Sequence, residues 1–231
     1  MGSVIDAPGR GVLPEQERSA LESQGYLRLR GVLGARDLDA MRQAWDELLE
    51  AGRRLKSNGN EAPNDGPGGL ERVPAFACCL SHPSVMGAVA TLLEGDVVFL
   101  SLRGREPPRG HGRQGLHADF PQPVDPARQM MVNVFWFLDD ADATNGATRL
   151  VPGSHRLRQL PRGQWAQPHG THPQERTLEA RAGDAIVFSA HLWHAGSVNR
   201  SGARRRVAIA QFGRSELKRP DTRTAGSHAL G

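Results

Sequence analysis

The chain has 231 residues, 38% of them hydrophobic and 23% charged, which suits one globular domain with a full core. No apolar run approaches the roughly 18 residues of a membrane span, so membrane association is not expected. The formal net charge is only +4 despite a pI near 9.8, and the positive charge is nearly all arginine, lysine appearing only as Lys56 and Lys218. The arginines are scattered, with clusters near 203–206 and in the tail, and no helix-turn-helix, zinc-finger or RNP-like pattern accompanies them. Nucleic acid is therefore not an expected partner. The only cysteines, Cys78 and Cys79, are adjacent in an apolar segment, which rules out a disulfide framework and a four-cysteine zinc site. They read as small core residues. The opening MGSVIDAPGRGVLPEQ lacks the basic-then-apolar profile of a signal peptide, and a cytoplasmic location follows by default.

In chain order, residues 1–14 carry Gly and Pro without periodicity and read as a flexible arm. EQERSALESQ reads as a helix stopped at Gly25, followed by the alternating strand YLRLRGVL. ARDLDAMRQAWDELLEAG is a second helix, with Leu38, Met41, Trp45, Leu48 and Leu49 at helical spacing and Gly52 as its end. Residues 52–70 are rich in Gly, Asn and Pro and read as a loop. SHPSVMGAVATLLEGD gives a short helix and VVFLSLRG a strand. The turn-rich GREPPRGHGRQG then leads into a strand through His117. MMVNVFWFLDDAD is an apolar strand with acidic turn residues, so Asp139 and Asp140 read as turn formers rather than a paired-carboxylate site. A short strand in NGATRLVPGSHRL, an irregular insertion over PRGQWAQPHGTHPQ, a strand in RAGDAIVFSAHLWHAG and a last strand in RRRVAIAQFG complete the domain. Residues 214–231 read as a flexible tail. Helices first and many short strands after them predict a mainly β sandwich or barrel, a single domain over 15–213.

The chemistry concentrates in QGLHADF. Residues two apart on an extended backbone share a face, so His117 and Asp119 can ligate one cation. HLWHAGSVNRSGARRR supplies a further histidine, His191 or His194. Two histidines and one carboxylate on one side of a metal form the facial triad of non-haem Fe(II) oxygenases. The His-x-Asp pattern alone is weak. Its context, a Gly-rich loop before it and a distal histidine with an arginine beyond, gives it weight.

QGLHADF, the run NVFWFLDDADATNGATRLVPGSH, HAGSVNRSGARRR and the opening ESQGYLRLRGVLGARDLDAM together resemble the phytanoyl-CoA dioxygenase family of Fe(II)/2-oxoglutarate oxygenases, over about residues 15 to 212. The resemblance implies a double-stranded β-helix, a jelly roll of the cupin-like kind with N-terminal helices packed outside. It implies Fe(II) held by His117, Asp119 and His194, with 2-oxoglutarate and O2 as co-substrates. The family pattern sets an asparagine five and an arginine eleven residues after the distal ligand. Asn199 and Arg205 satisfy that spacing from His194, whereas Gly196 and Gly202 fall there from His191. Arg205 would then grip the distal carboxylate of 2-oxoglutarate through two parallel donors. Arg204 and Arg206 should face away. Gln114, Asn133 and Thr148 are expected to line the co-substrate pocket, and Phe135 falls where the family often places tryptophan. His155 resembles the family's structural turn, His169 and His172 read as solvated loop residues, and His111 as a loop residue within reach of substrate. The loops 52–70, 104–115 and 161–175 are expected to shape the substrate pocket, with Phe120, Arg103 and Trp193 among its residues.

The implied reaction releases succinate and CO2 while oxidising a C–H bond of a small polar metabolite, in the manner of natural-product or antibiotic tailoring enzymes. Related halogenases leave the carboxylate position small, so Asp119 points to hydroxylation or another oxidative outcome. The rival readings are a non-catalytic metabolite-binding β-barrel, a zinc hydrolase using the same ligands and an oxygenase acting on nucleic acid. Nothing suggests heptads or a long apolar edge, so a monomer is expected.

Overall fold

The computed structural model describes residues 13–55, 66–120, 128–157 and 159–217. Most of the expected arm (1–12) and tail (218–231) thus lies outside the described residues.

Two antiparallel sheets face each other. The larger is built from β1 (Tyr26–Leu29), β2 (Val98–Arg105), β3 (Met131–Phe137), β6 (Ala185–Ser189) and β8 (Val207–Gly213), in the order β1-β6-β3-β8-β2. The smaller holds β4 (Thr148–Leu150), β5 (Arg176–Leu178) and β7 (His194–Gly196), in the order β5-β4-β7. This is the expected jelly roll, open at its edges rather than closed into a barrel.

Strand alternation explains the layering. On one face of the larger sheet Val132, Val134, Trp136, Ala208, Ala210 and Phe212 pack under the helices. On the other, Phe135, Phe137, Ile186, Phe188, Val207 and Ile209 meet Ala147, Leu150 and Leu178 of the smaller sheet. The functional site lies between the sheets.

The outer layer comprises α1 (Glu15–Gln24), α2 (Ala35–Leu55), α3 (Cys78–Ser81) and α4 (Pro83–Leu92). In α2 the stripe of Leu38, Met41 and Trp45 is buried, with Leu48 and Leu49 packed beside it. Each such burial stabilises by about 1.5–3 kcal/mol. The helix runs past Gly52 to Leu55, because one glycine weakens a helix by only about 1 kcal/mol. Gly25 ends α1 as expected, at φ 83° with its N–H donating to Leu21 O. It also admits the ring of His155, whose Nδ1 would lie 2.5 Å from a Cβ at that position. Among the described residues no single helix is long and apolar enough to cross a membrane, and the bent pair α3–α4 buries Cys79, Val85, Met86 and Val89 in the core.

Four further boundaries differ from expectation. The strand expected through His117 is a single bridge, His117 to His194. RAGDAIVFSAHLWHAG is two strands in different sheets, β6 and β7, divided by a turn at 190–193. RTL forms β5, an edge strand of three residues whose first two are exposed and carry no apolar alternation. Packing also continues beyond residue 213. Arg214 is buried, donates to Gln129 O and meets Glu94, and Ser215 bonds Asp96.

Candidate active site

His117, Asp119 and His194 converge between the sheets, each offering one ligand atom, with all three atoms within 4.8 Å of one another. His117 sits on an irregular segment that runs antiparallel to β7. Backbone bonds His117 N to His194 O (3.0 Å), His194 N to His117 O (2.9 Å) and Gln114 N to Gly196 O (3.1 Å) hold it there. That pairing, rather than a regular strand, brings the two histidines together.

Both rings are oriented alike. His117 Nδ1 lies 3.1 Å from Gly115 O and His194 Nδ1 2.9 Å from Leu192 O. Each Nδ1–H donating to a carbonyl two residues earlier fixes the tautomer that leaves Nε2 bare, the form a metal requires. The two Nε2 atoms flank the carboxylate at 3.6 Å, His117 against Asp119 Oδ1 and His194 against Oδ2. Neighbouring ligands on one cation at roughly 2.1 Å stand roughly 3 Å apart, so the donor set fits one metal ion with a small inward shift. Burial holds His194 down to about 4 against the pull of Asp119, with His117 and Arg105 adding to the depression. The ring is neutral at pH 7, as a ligand must be. The side chain of His117 is 37% exposed, so the site opens on that side.

A relay of amides backs the carboxylate. Asn133 Nδ2 donates to Asp119 Oδ2 (2.9 Å), Gln211 Nε2 to Asn133 Oδ1 (3.1 Å) and Ser101 Oγ to Gln211 Oε1 (2.8 Å). Asn133, expected in the co-substrate pocket, thus has its contacts with the metal-side carboxylate. Behind His194 the rings of Phe188 and Phe135 stand edge-on at 5.0 and 6.5 Å.

Arg205 is buried, 1% exposed, and its Nε and Nη1 have no hydrogen-bond partner among the described residues. Burial and the nearby Arg105 lower its pKa to about 9, so it is still a cation at pH 7. A buried cation with orphan donors calls for an anion in the same pocket. Its neighbours face away as expected. Arg204 meets Glu106 and Asp46, and Arg206 forms a two-pronged pair with Asp139. Asn199, five residues after His194, ties Pro107 O and Ala203 O together and accepts from Gly202 N, which fixes the turn that delivers Arg205.

Gln114 Oε1 accepts from Gly196 N (3.0 Å), leaving its amide N–H groups as donors. Thr148 is buried on β4 opposite Gly196. A side chain at Gly196 would meet Gly112 O at 2.4 Å and Gln114 Oε1 and Arg105 Nη2 at 3.1 Å, so only glycine keeps this corner open. Arg105 is the main site residue that no sequence motif marks. β2 runs one residue past the expected end at Gly104, and alternation from Arg103 then puts Arg105 on the same face.

Other expected residues lie elsewhere. His191 falls in the 190–193 turn, where its ring meets Phe120 edge-on at 5.1 Å, outside the triad. His155 is buried under α1 with Nε2 3.2 Å from Glu22 O. Asp140 pairs with Arg181. His111 and His169 are exposed, while His172 is half-buried against Trp165 at 4.6 Å rather than solvated. Trp193 does not line the pocket. It adjoins His194 on extended backbone and so points to the opposite face, packing with Trp165 at 6.1 Å and donating to Gln159 O. The 161–175 segment likewise covers the outer face of the smaller sheet, where Arg149 joins Glu175, Gly170 O and Gln114 O. Of the 52–70 loop, residues 56–65 lie outside the described residues, and Gly66 and Pro67 pair with Gly104 along the free edge of β2.

The model of the phytanoyl-CoA dioxygenase family matches residues 21–207. The chain belongs to that family. Family membership joins the His–Asp–His cluster and the orphaned arginine into one expectation, since the phytanoyl-CoA dioxygenase family is a family of Fe(II)/2-oxoglutarate-dependent oxygenases. Among curated relatives, the dioxygenase olcK of Penicillium canescens is 36% identical over 136 residues, 55% of this chain. The match spans only 43% of that enzyme. Among solved structures, HygX from Streptomyces hygroscopicus, with nickel, 2-oxoglutarate and hygromycin B bound, has TM-score 0.71, 17% identity and 88% coverage of each chain. The epimerase SnoN, in complex with Fe3+, alpha ketoglutarate and nogalamycin RO, has TM-score 0.64, 20% identity and coverage of 94% and 93%. At these identities the structural likeness speaks for the fold.

Proposed function

We propose that this family member is an Fe(II)- and 2-oxoglutarate-dependent dioxygenase that oxidises a C–H bond of a small molecule of specialised metabolism, releasing succinate and CO2. The observation that carries this reading is the pairing of a metal-spaced His117–Asp119–His194 cluster with a buried Arg205 whose Nε and Nη1 are unpartnered. A dicarboxylic 2-oxo acid answers both, with one end for the metal and the other for the guanidinium. The likeness to antibiotic-binding HygX and SnoN supports the substrate class.

In this reading His117, Asp119 and His194 hold the iron through two Nε2 atoms and one carboxylate oxygen. The bound iron and 2-oxoglutarate supply the oxidising chemistry. Arg205 orients the far carboxylate by two parallel N–H donors, and Gln114 and Thr148 border the same pocket. Asn133 keeps Asp119 turned toward the metal. Because Asp119 takes the third protein position, no gap is left there for a halide. The buried wall of Phe135, Phe188 and Ile209 excludes water on the sheet side.

The test is aerobic incubation of Fe(II)-loaded protein with 2-oxoglutarate. Succinate should form even without primary substrate, slowly, and vanish in His117→Ala. Wild-type protein that consumes no 2-oxoglutarate, with or without a metabolite panel, would refute the proposal.

A further inference from the structure

β2 contributes a polar row to the site. From Ser101 to Arg105 it runs in regular register with β8, Ser101 opposite Gln211, Arg103 opposite Ile209 and Arg105 opposite Val207. Leu102 is buried on the helix side, so the alternate residues Ser101, Arg103 and Arg105 face the space between the sheets. The bond from Ser101 to Gln211, which leads on to Asn133 and Asp119, bears this out. Arg103 faces inward and is nevertheless exposed, which marks the open edge of the site. Beside it the same row continues through Ile209 to Phe135, whose ring borders His194.

Among the described residues Arg103 makes no hydrogen bond, ion pair or ring contact, whereas Arg28, Arg149, Arg204 and Arg206 each meet a carboxylate. The site's other charges leave none over for it. Two positive charges on a divalent metal and one each on Arg205 and Arg105 already exceed the one negative charge on Asp119 and the two on 2-oxoglutarate. Arg103 is therefore a guanidinium without a carboxylate partner among the described residues, at the mouth of a site that has no negative charge to spare, next to an apolar wall.

We propose that Arg103 holds an acidic group, a carboxylate or a phosphate, of the primary substrate, whose apolar body lies along Ile209 and Phe135. The inference rests on the oxygenase reading above. It makes Arg103 a specificity-determining residue and the substrate an organic acid or phosphate ester rather than a neutral or cationic metabolite.

The experiment uses the anaerobic Fe(II)–2-oxoglutarate form of the full chain and three matched probes: 3-phenylpropanoate, 3-phenylpropyl phosphate and 3-phenylpropanamide. Binding is read by saturation-transfer NMR. One or both anionic probes should bind at least about tenfold more tightly than the amide, the better one naming carboxylate or phosphate. Arg103→Gln should erase that preference and Arg103→Lys keep part of it, the visible band of the metal–2-oxoglutarate complex persisting in both. Equal binding of acids and amide, absence of binding by either acid, or a preference that survives Arg103→Gln would overturn the inference. Absence of the band in wild-type protein would instead strike the oxygenase reading.

Discussion

Arg205 brings a charge into a place where no carboxylate among the described residues pairs with it, and this shapes what its removal should do. A buried ionic group replaced by an apolar one of similar volume often stabilises a fold by about 1–4 kcal/mol. Arg205→Met should therefore raise the melting temperature of the metal-free protein, or leave it unchanged, while weakening 2-oxoglutarate binding roughly 10–100-fold, the range of a lost charge-assisted bond. A fall in both would mean that Arg205 is structural. Two other histidines weaken the fold toward acid pH. Burial, aided by His155, lowers His191 to about 4, and burial likewise lowers His155. Their unfolded counterparts protonate near 6.5, so between about pH 6.5 and 4 the unfolded chain takes up protons that the folded one refuses. Stability should fall as pH falls through that window, and His191→Leu should flatten the slope in melting curves. Asp184 works at lower pH. Burial pushes its carboxyl up, but the Arg181 and Gly31 N–H groups and Arg28 more than offset this and hold it below the usual value. Its contribution is present above about pH 4 and disappears below it.

At the scale of elements, the site depends on two strands meeting in register. β3 and β8 set Asn133 opposite Gln211, and the bulge between Phe99 and Ser101 lets β2 bring Ser101 to the same row. Outer-shell partners of metal ligands typically contribute 10–100-fold in affinity. Asn133→Ala should weaken Co(II) or Fe(II) binding within that range, and Gln211→Ala should do so less, both seen by metal titration. The outer strap over the smaller sheet is held by the buried Arg149–Glu175 pair, 2.8 Å apart. Glu175→Ala leaves a buried guanidinium unpaired and should cost about 3–5 kcal/mol in denaturant unfolding. This element was the least legible in the sequence. PRGQWAQPHGTHPQ has no periodicity, β5 is too short and exposed to alternate, and the packing of Trp165 on Trp193 is a contact between residues far apart in the chain. The central strands β3, β6 and β8 were legible because each buries both faces in an apolar run, and β1 by its alternation of apolar and polar residues. The amphipathic α2 was legible for the opposite reason, its single apolar stripe.

For the whole molecule, the helices cover one face of the larger sheet, the smaller sheet covers the other, and the site sits in the open end of that sandwich. Residue spacing and the family resemblance were enough to bring His117, Asp119 and His194 forward, although the first two sit on an irregular segment with a single bridge to β7 rather than on a strand. They were not enough for Ser101 and Gln211, whose parts depend on cross-strand register. A ligand that binds only the folded state stabilises it by about 2.7 kcal/mol at a concentration of 100 Kd. Metal plus 2-oxoglutarate should accordingly raise the melting temperature by several degrees, and Arg205→Met should lose the 2-oxoglutarate part of that shift. The most direct test is an anaerobic titration of metal-free protein with Fe(II) and then 2-oxoglutarate, watching for the weak visible charge-transfer band of the chelate. The band should appear in wild-type protein, be lost in Asp119→Ala and require far more 2-oxoglutarate in Arg205→Ala. Wild-type protein without iron affinity and without the band would contradict the account.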